Sequence, residues 1–210
     1  MFKYGAWFSG SMDIKYLPQK IELTKELNSI DRLAADFTEI LNELGIKYAV
    51  VAGCVAILFG RNRASEDVDI ILEKTNFKLF TELWNKLSKN FECIITHDTK
   101  EAYDMYLMEN TPIRFSRKGE FIPNVEIKFP KLDLDYWTIA NRKKVIVNGR
   151  VLFIGPIELE IPYKLFMGSG KDIEDAKHLY NLFKEKLNLD LLTQFNRKFK
   201  IEKLFNKYLK

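Results

Sequence analysis

Two aspartates separated by one residue, Asp67 and Asp69, are the residues of this sequence best suited to chemistry. They stand at the start of an apolar, β-branched run that ends at Leu72 and is typical of a buried strand. Side chains two residues apart on a strand point to the same face, so the two carboxylates must project together. Adjacent carboxylates repel each other unless a cation offsets their charge. Mg²⁺ binds carboxylate oxygens and keeps positions open for water and phosphate, so the pair predicts a magnesium site.

The segment before the aspartates adds a second feature, a turn that suits a phosphate. The short apolar run Ala49–Ala52 predicts a buried strand, Val55–Phe59 a short helix and Gly60–Glu66 a polar loop. A glycine at position 53 lets backbone N–H groups at the start of the helix approach a phosphate closely. Together, the acid pair and the turn predict metal-assisted phosphoryl or nucleotidyl transfer. The alternative is a plain strand-turn-strand unit with two surface aspartates.

At these residues the chain resembles the DNA polymerase β-like nucleotidyltransferase superfamily. The pattern of that family is a hydrophobic residue, Gly, then Gly or Ser, a spacer, and Asp-hydrophobic-Asp-hydrophobic. Here it reads Ala52-Gly53-Cys54, twelve residues, then Asp67-Val68-Asp69-Ile70. Cys54 replaces the usual Gly or Ser, so the backbone N–H remains while a hydroxyl contact is lost. Arg63 and Ser65 fall where many small members have Arg-x-Thr.

The resemblance covers roughly residues 31 to 183 and implies both a fold and a reaction. The fold is α/β (α+β), a nucleotidyltransferase-like mixed sheet flanked by helices, with further helices at the C-terminus. The reaction transfers a nucleoside monophosphate from an NTP to an acceptor hydroxyl and releases pyrophosphate. Asp67 and Asp69 would hold two Mg²⁺ ions, and Gly53, Cys54, Arg63 and Ser65 would bind the nucleotide.

A third carboxylate is predicted at Glu126. The segment Asn124–Phe129 alternates apolar and charged residues with the period of a strand. Two-metal catalysis requires a further ligand from a neighbouring strand to activate the attacking hydroxyl, and Glu126 fits as catalytic residue and metal ligand. In the resembling family this position is more often Asp. Two alternatives stay open: Glu126 and Lys128 form the wet face of an edge strand, or Asp104 is the third acid.

A second resembling segment lies around Lys164. It is similar to the family's helix with a lysine that faces the triphosphate, followed by a Lys-Asp-x-x-Asp helix at residues 171–175. Lys164 would supply a point charge for the phosphates. For Asp172 and Asp175, capping and complementarity to the helix dipole are the preferred interpretation.

The remaining pattern is that of one domain of alternating helices and strands. Ser29 or Asp31 caps a helix that ends at Gly45, Asn76 caps another, and Asn148-Gly149 predicts a tight hairpin turn. We divide the chain into an N-terminal extension (1–28), a nucleotidyltransferase core (29–155) and a C-terminal helical part of the same domain (156–210). The extension fits either an added arm or a partly disordered segment. Short strands are predicted at Cys93–Thr96, Asp104–Met108 and Ile113–Phe115.

Composition excludes several classes of protein. The chain has 210 residues, and its net charge of +4 permits an anionic substrate without requiring nucleic acid. Two cysteines are too few for a disulfide framework, which favours a reducing, cytoplasmic location. No apolar stretch approaches the roughly 20 residues that cross a membrane. Residues Met1–Ser11 lack the basic flank and apolar core of a signal peptide.

The acceptor cannot be named from the sequence. RNA, a protein or a small molecule such as an aminoglycoside fits the same scaffold, and the basic, amphipathic stretch Arg197–Lys210 could contact RNA or a partner protein. The small size of the chain suggests the stand-alone, minimal branch of the family. Some members of that branch serve in toxin–antitoxin pairs. The alternative function is a catalytically inactive nucleotide-binding or interaction protein, such as a toxin–antitoxin component, on the same fold.

Overall fold

A computed structural model of the protein describes residues 12–17 and 19–209. The segment Met1–Ser11, for which no signal peptide is expected, lies outside the described residues. The strands are β1 (Asp13–Tyr16), β2 (Lys20–Thr24), β3 (Tyr48–Val51), β4 (Asp67–Leu72), β5 (Phe91–Cys93), β6 (Ile113–Arg117), β7 (Asn124–Lys128), β8 (Lys143–Val147) and β9 (Arg150–Ile154).

Helices alternate with these strands and dominate the C-terminal third. They are α1 (Ser29–Glu43), α2 (Gly53–Leu58), α3 (Phe77–Leu87), α4 (Thr99–Glu101), α5 (Asp133–Ala140), α6 (Ile157–Met167), α7 (Gly170–Phe183), α8 (Leu189–Lys198) and α9 (Glu202–Leu209), with one π-helical segment at Ala102–Leu107. None of the helices in the described part of the chain combines the length and the apolar character needed to cross a membrane.

The described strands form one mixed, nine-stranded sheet in the order β1-β2-β8-β9-β3-β4-β7-β6-β5. β4 lies inside it, antiparallel to β3 and parallel to β7. β2, from the predicted N-terminal extension, pairs in parallel with β8 of the predicted core. β1, β2 and α5 were not predicted from the sequence.

Helix α1 packs on the sheet and shows why the local sequence folds as it does. Its apolar residues recur at helical spacing, and Leu33, Phe37 and Leu41 are fully buried. The N-cap is Asn28, not Ser29 or Asp31. The Asn28 side chain accepts a hydrogen bond from the Asp31 N–H at 2.8 Å, and the Asp31 carboxylate accepts one from the Asn28 N–H at 3.1 Å.

The predicted strand at Asp104–Met108 is wrong, because this segment belongs to the π-helix at Ala102–Leu107. The short apolar run Met105–Met108 is equally compatible with a buried strand and with a helical segment. The signal that was missed is Asp98, whose carboxylate accepts hydrogen bonds from two backbone N–H groups and caps the preceding helix α4. The predicted strand at Cys93–Thr96 is misplaced, since β5 spans Phe91–Cys93 and shares only Cys93 with it. The other predicted strands and the hairpin are confirmed with shifted ends, and β8–β9 spans Lys143–Ile154.

Asn148 joins the β8–β9 turn to the end of β2. Its φ is +49° and that of Gly149 is +85°, as a tight hairpin turn requires. The Asn148 side chain accepts a hydrogen bond from the Lys25 N–H at 3.1 Å and donates one to the Lys25 carbonyl at 2.8 Å. One asparagine therefore supplies both the turn conformation and a link across 123 residues of sequence.

We expect Asn148→Ala to lower the free energy of unfolding by about 2–3 kcal/mol. Alanine loses two hydrogen bonds and is strained at positive φ, each effect being worth about 1 kcal/mol. Asn148→Gly keeps the backbone conformation and loses only the bonds, so it should fall between the wild type and the alanine variant. Urea unfolding of the three proteins measures this order. Equal stability of the glycine variant and the wild type would show that the side-chain bonds contribute nothing.

Candidate active site

Asp67 and Asp69 project from the same face of β4, as predicted, while Val68 and Ile70 point into the core. In the parallel pairing of β4 with β7, Asp69 lies directly opposite Glu126. The three predicted acids therefore occupy neighbouring positions on one face of the sheet. β7 is an interior strand between β4 and β6, so the edge-strand interpretation of Glu126 is wrong.

The surroundings of Asp69 perturb its carboxyl group. Burial, followed by the charges of Asp67 and Glu126, raises the pKa of Asp69 to about 6. The Ser65 hydroxyl lies 3.3 Å from Oδ1 of Asp67 and can donate to it. Glu126 has a partner of its own: the Arg114 Nε and Nη2 atoms both donate to its Oε2, at 2.9 and 2.7 Å.

The carboxylates of Asp67 and Asp69 are of the ligand type that Mg²⁺ prefers, but a third acidic ligand is not preformed beside them among the described residues. Mg²⁺ prefers oxygen ligands and is commonly bound by one or two carboxylates plus substrate phosphates, which is what Asp67 and Asp69 offer. In the part of the chain that the structure describes, however, no group of three or more His, Cys, Asp and Glu side chains is arranged to hold a metal ion. Glu126, which would be the third ligand, is paired with Arg114.

A cleft of about 260 Å³ opens beside the acids. It is lined by Asp69 of β4 and by Glu126 and Lys128 of β7. Helix α6 contributes Tyr163 and Met167, which are 40% and 57% exposed and give the cleft an apolar wall. The sequence does not distinguish these two residues from the ordinary apolar residues of an amphipathic helix.

The turn between β3 and α2 is strained at Ala52, not at Gly53. Ala52 has φ +61° and ψ −133°, a conformation that an L-residue with a side chain rarely adopts. Gly53 leaves room for Arg63: a Cβ atom at position 53 would lie 2.1 Å from Nη2 of Arg63, and the guanidinium would have to move. The guanidinium of Arg63 thus lies against the turn, where the predicted phosphate-binding role would place a cation.

Glu160 supports this turn and was missed by the sequence analysis. It is 4% exposed, and its Oε2 accepts a hydrogen bond from the N–H of the strained Ala52 at 3.2 Å. Burial raises the pKa of Glu160 to about 7, although the positive charge of Lys164 opposes this shift. An acid between apolar residues of a helix, four positions before a lysine, was the available signal.

Asp175 is the centre of a buried ion-pair cluster and is not a helix cap. It is fully buried, and its Oδ2 is 2.9 Å from Nζ of Lys164 and 3.1 Å from Nε of Arg63, with Arg61 3.6 Å from Oδ1. The two predicted nucleotide-binding cations are thereby held in place by one carboxylate. Lys164 still lines the cleft, so its role toward phosphates stays a prediction.

Asp172 lies in the first turn of α7, but the cap is a different residue. The Ser169 hydroxyl accepts a hydrogen bond from the Asp172 N–H at 3.3 Å, and Asp172 accepts one from that hydroxyl in return. The Asp172 side chain also lines the cleft. Asp104, the rival third acid, belongs to a separate surface depression and pairs with Lys100.

Cys54 points into the core and away from the cleft. It is 1% exposed and packs within the main hydrophobic cluster. Burial raises the pKa of its thiol, so it is a poor nucleophile. The side chain at this position therefore fills space under the turn, and only its backbone N–H remains available at the start of α2.

Comparison with known proteins identifies the fold. No family model and no curated protein matches the chain. Among solved structures, the fold is similar to that of an antigenic nucleotidyltransferase-like protein from Paracoccidioides brasiliensis, with a TM-score of 0.54 and 21% sequence identity. The similarity covers 86% of this chain and 91% of that one. The predicted fold class is thus confirmed: the chain has a nucleotidyltransferase-like fold, a mixed nine-stranded sheet flanked by helices.

We expect Glu160→Gln to change how stability depends on pH. Because the pKa of Glu160 is higher in the folded protein, the folded protein binds a proton at Glu160 more tightly than the unfolded chain does. The free energy of unfolding therefore falls as pH rises from about 4.5 to about 7, by up to about 1.4 kcal/mol per unit. Glutamine keeps an acceptor for Ala52 and removes the titration.

Urea unfolding of the wild type and Glu160→Gln between pH 4.5 and 8 tests this expectation. Relative to the wild type, the glutamine variant should gain stability across the window and change little above it. Asp69 titrates in both proteins, so its contribution cancels in the difference. Parallel stability curves would contradict the assignment of a raised pKa to Glu160.

We expect Cys54→Ser to destabilise the protein by about 1–3 kcal/mol, because it buries a hydroxyl in an apolar cluster. Cys54→Ala removes one atom from the same place and should be milder, at about 1 kcal/mol. Thermal unfolding compares the two. If serine is tolerated better than alanine, the side chain has a polar partner and does not lie in the core.

Proposed function

We propose that this protein is a metal-dependent nucleotidyltransferase, which transfers a nucleoside monophosphate from an NTP to an acceptor hydroxyl and releases pyrophosphate. The observation that carries the proposal is the register that aligns Asp67, Asp69 and Glu126 on one face of the sheet, beside a cleft. The sequence resemblance assigns the chain more finely to the DNA polymerase β-like superfamily and its minimal branch. That finer assignment is part of the proposal.

Asp67 and Asp69 would hold Mg²⁺, with two ions in the complete complex and Glu126 as a further ligand. When bound, the metal offsets the charge of the phosphates and of the leaving group. Arg63 and the backbone N–H groups at Gly53 and Cys54 would bind the β- and γ-phosphates. In support, Arg63 lies against the turn, and Asp175 holds it there.

The transfer balances as an in-line displacement at the α-phosphorus. The acceptor oxygen forms a bond to that phosphorus as the bond to the bridging oxygen breaks, and the electron pair leaves with pyrophosphate. Glu126 would take the proton of the acceptor hydroxyl, in competition with the two hydrogen bonds that Arg114 donates to its Oε2. Tyr163 and Met167 would contact the nucleoside, since an exposed aromatic ring beside an acidic site suits a base.

A catalytically inactive nucleotide-binding or interaction protein is the second candidate. The ion pair between Arg114 and Glu126 favours it, because the third acid is occupied and no three-acid metal group is preformed among the described residues. The acceptor in the first candidate is RNA, a protein or a small molecule. We further propose that the protein binds a partner protein, as in toxin–antitoxin pairs, and that it is located in the cytoplasm.

We expect α-³²P-labelled NTP, Mg²⁺ and a pool of cellular RNA, protein and small molecules to give a labelled acceptor and pyrophosphate. Asp67→Asn combined with Asp69→Asn should reduce this label by about 100-fold or more, because the developing charge loses its counter-ions. Asp104→Asn is the control outside the cleft, since it neutralises a single carboxylate in a separate surface depression. It should label as well as the wild type.

Other outcomes separate the candidates. Metal-dependent NTP binding by the wild type with no labelled product would favour the inactive binding protein. Release of free phosphate without transferred label would indicate a hydrolase. If neither binding nor labelling responds to the double substitution, the acids are not the site.

A further inference from the structure

Arg114 is the cation that contacts the acid row, and the proposed reaction has not yet used it. It lies on β6 directly opposite Glu126, and two of its nitrogens donate to one carboxylate oxygen. Its side chain is 45% exposed, while that of Glu126 is 20% exposed. The guanidinium therefore lies at the open side of the site, within reach of a ligand from solution.

The register places this arginine at one end of a row that crosses four strands. Val51 on β3 is opposite Asp69, Asp69 is opposite Glu126, and Glu126 is opposite Arg114. Neighbouring strands are about 4.8 Å apart, so the row spans roughly 14 Å. The turn that is strained at Ala52 follows β3 directly, at the opposite end of the row from Arg114.

In-line displacement gives the two ends of the row different roles. The attacking oxygen and the leaving oxygen lie on opposite sides of the phosphorus. The phosphates that leave are those next to Gly53 and Arg63, on the β3 side. The acceptor must then approach over β7 and β6, where Arg114 is the side chain already bonded to the proposed base.

We propose that Arg114 binds a phosphate of the acceptor, next to the hydroxyl that attacks. The inference rests on the proposed function. When Glu126 turns to a metal ion or to the hydroxyl, the guanidinium loses its carboxylate partner and keeps two donors side by side. This planar fork matches a phosphate, which can accept both hydrogen bonds at once. The ligand is thus a phosphate-bearing acceptor, either the hydroxyl end of a nucleic acid strand or a phosphorylated small molecule.

Arg117 offers a matched control on the same strand. It lies three residues further along β6, on the opposite face, and pairs with Asp36 of α1. Arg117→Gln removes the same charge and leaves the acid row untouched. Arg114→Lys retains the charge without the fork, and Arg114→Ala removes both.

The test measures binding without turnover. Protein with Mn²⁺ and each of the four α,β-methylene nucleoside triphosphates is titrated by calorimetry with a five-residue oligoribonucleotide, ribose 5-phosphate and ribose. We expect one phosphate-bearing probe to bind the wild type, and Arg114→Ala to weaken it by about 10-fold or more. Arg114→Lys should lie between them, and Arg117→Gln should match the wild type. The probe that responds identifies the source of the phosphate.

A second readout uses Mn²⁺ alone, detected by electron paramagnetic resonance. Arg114→Ala should bind Mn²⁺ more tightly than the wild type, because a competing cation has left Glu126. Unchanged probe affinity in Arg114→Ala, or binding of ribose as tightly as ribose 5-phosphate, overturns the inference while the proposed function stands. Weakened binding of the triphosphate analogue instead assigns Arg114 to the nucleotide and overturns it too. A wild type that binds no analogue with Mn²⁺ rejects the proposed function itself.

Discussion

The register of β4 between β3 and β7 is the constraint on which the site depends. Side chains alternate along a strand, so a slip of one residue would turn Asp67 and Asp69 into the core and expose Val68 and Ile70. Burying two unpaired carboxylates is far more costly than any local preference of the chain. The hydrophobic pattern of β4 thus fixes where the acids point, and pairing with β7 fixes which third acid meets them.

A cluster of charged side chains around Asp175 and Glu160 supports the turn between β3 and α2. Asp175 fixes Arg63 and Lys164, while Glu160 binds the backbone of Ala52 in a conformation that an alanine rarely adopts. Such a cluster does not have to add net stability, since ionic groups lose hydration on burial. The cluster fixes positions instead, because moving one member leaves a buried charge without its partner.

The row of acids could be predicted because it depends on residue spacing within short segments of the sequence. Spacing places Asp67 and Asp69 on one face, and alternation places Glu126 on a strand. What could not be predicted depends on pairing between distant segments. Arg114 meets Glu126 through the β6–β7 register, and Asp175 resembles a cap until α7 packs against the loop that carries Arg63. The prediction for residues 104–108 was wrong because a short apolar run does not by itself distinguish a strand from a helical segment.

The parallel pairing of β2 with β8 has a consequence for the order of folding. Lys25 and Asn148 meet at this seam although 123 residues separate them in sequence. During synthesis β1 and β2 leave the ribosome long before the hairpin that receives them, and contacts between distant segments form slowly. The edge of β2 that pairs with β8 therefore has no partner strand until β8 has been made. The central strands β3, β4 and β7 are made in the meantime. Among the described strands, β1 and β2 are made first, and β2 gains its second neighbour only after β8 has been made.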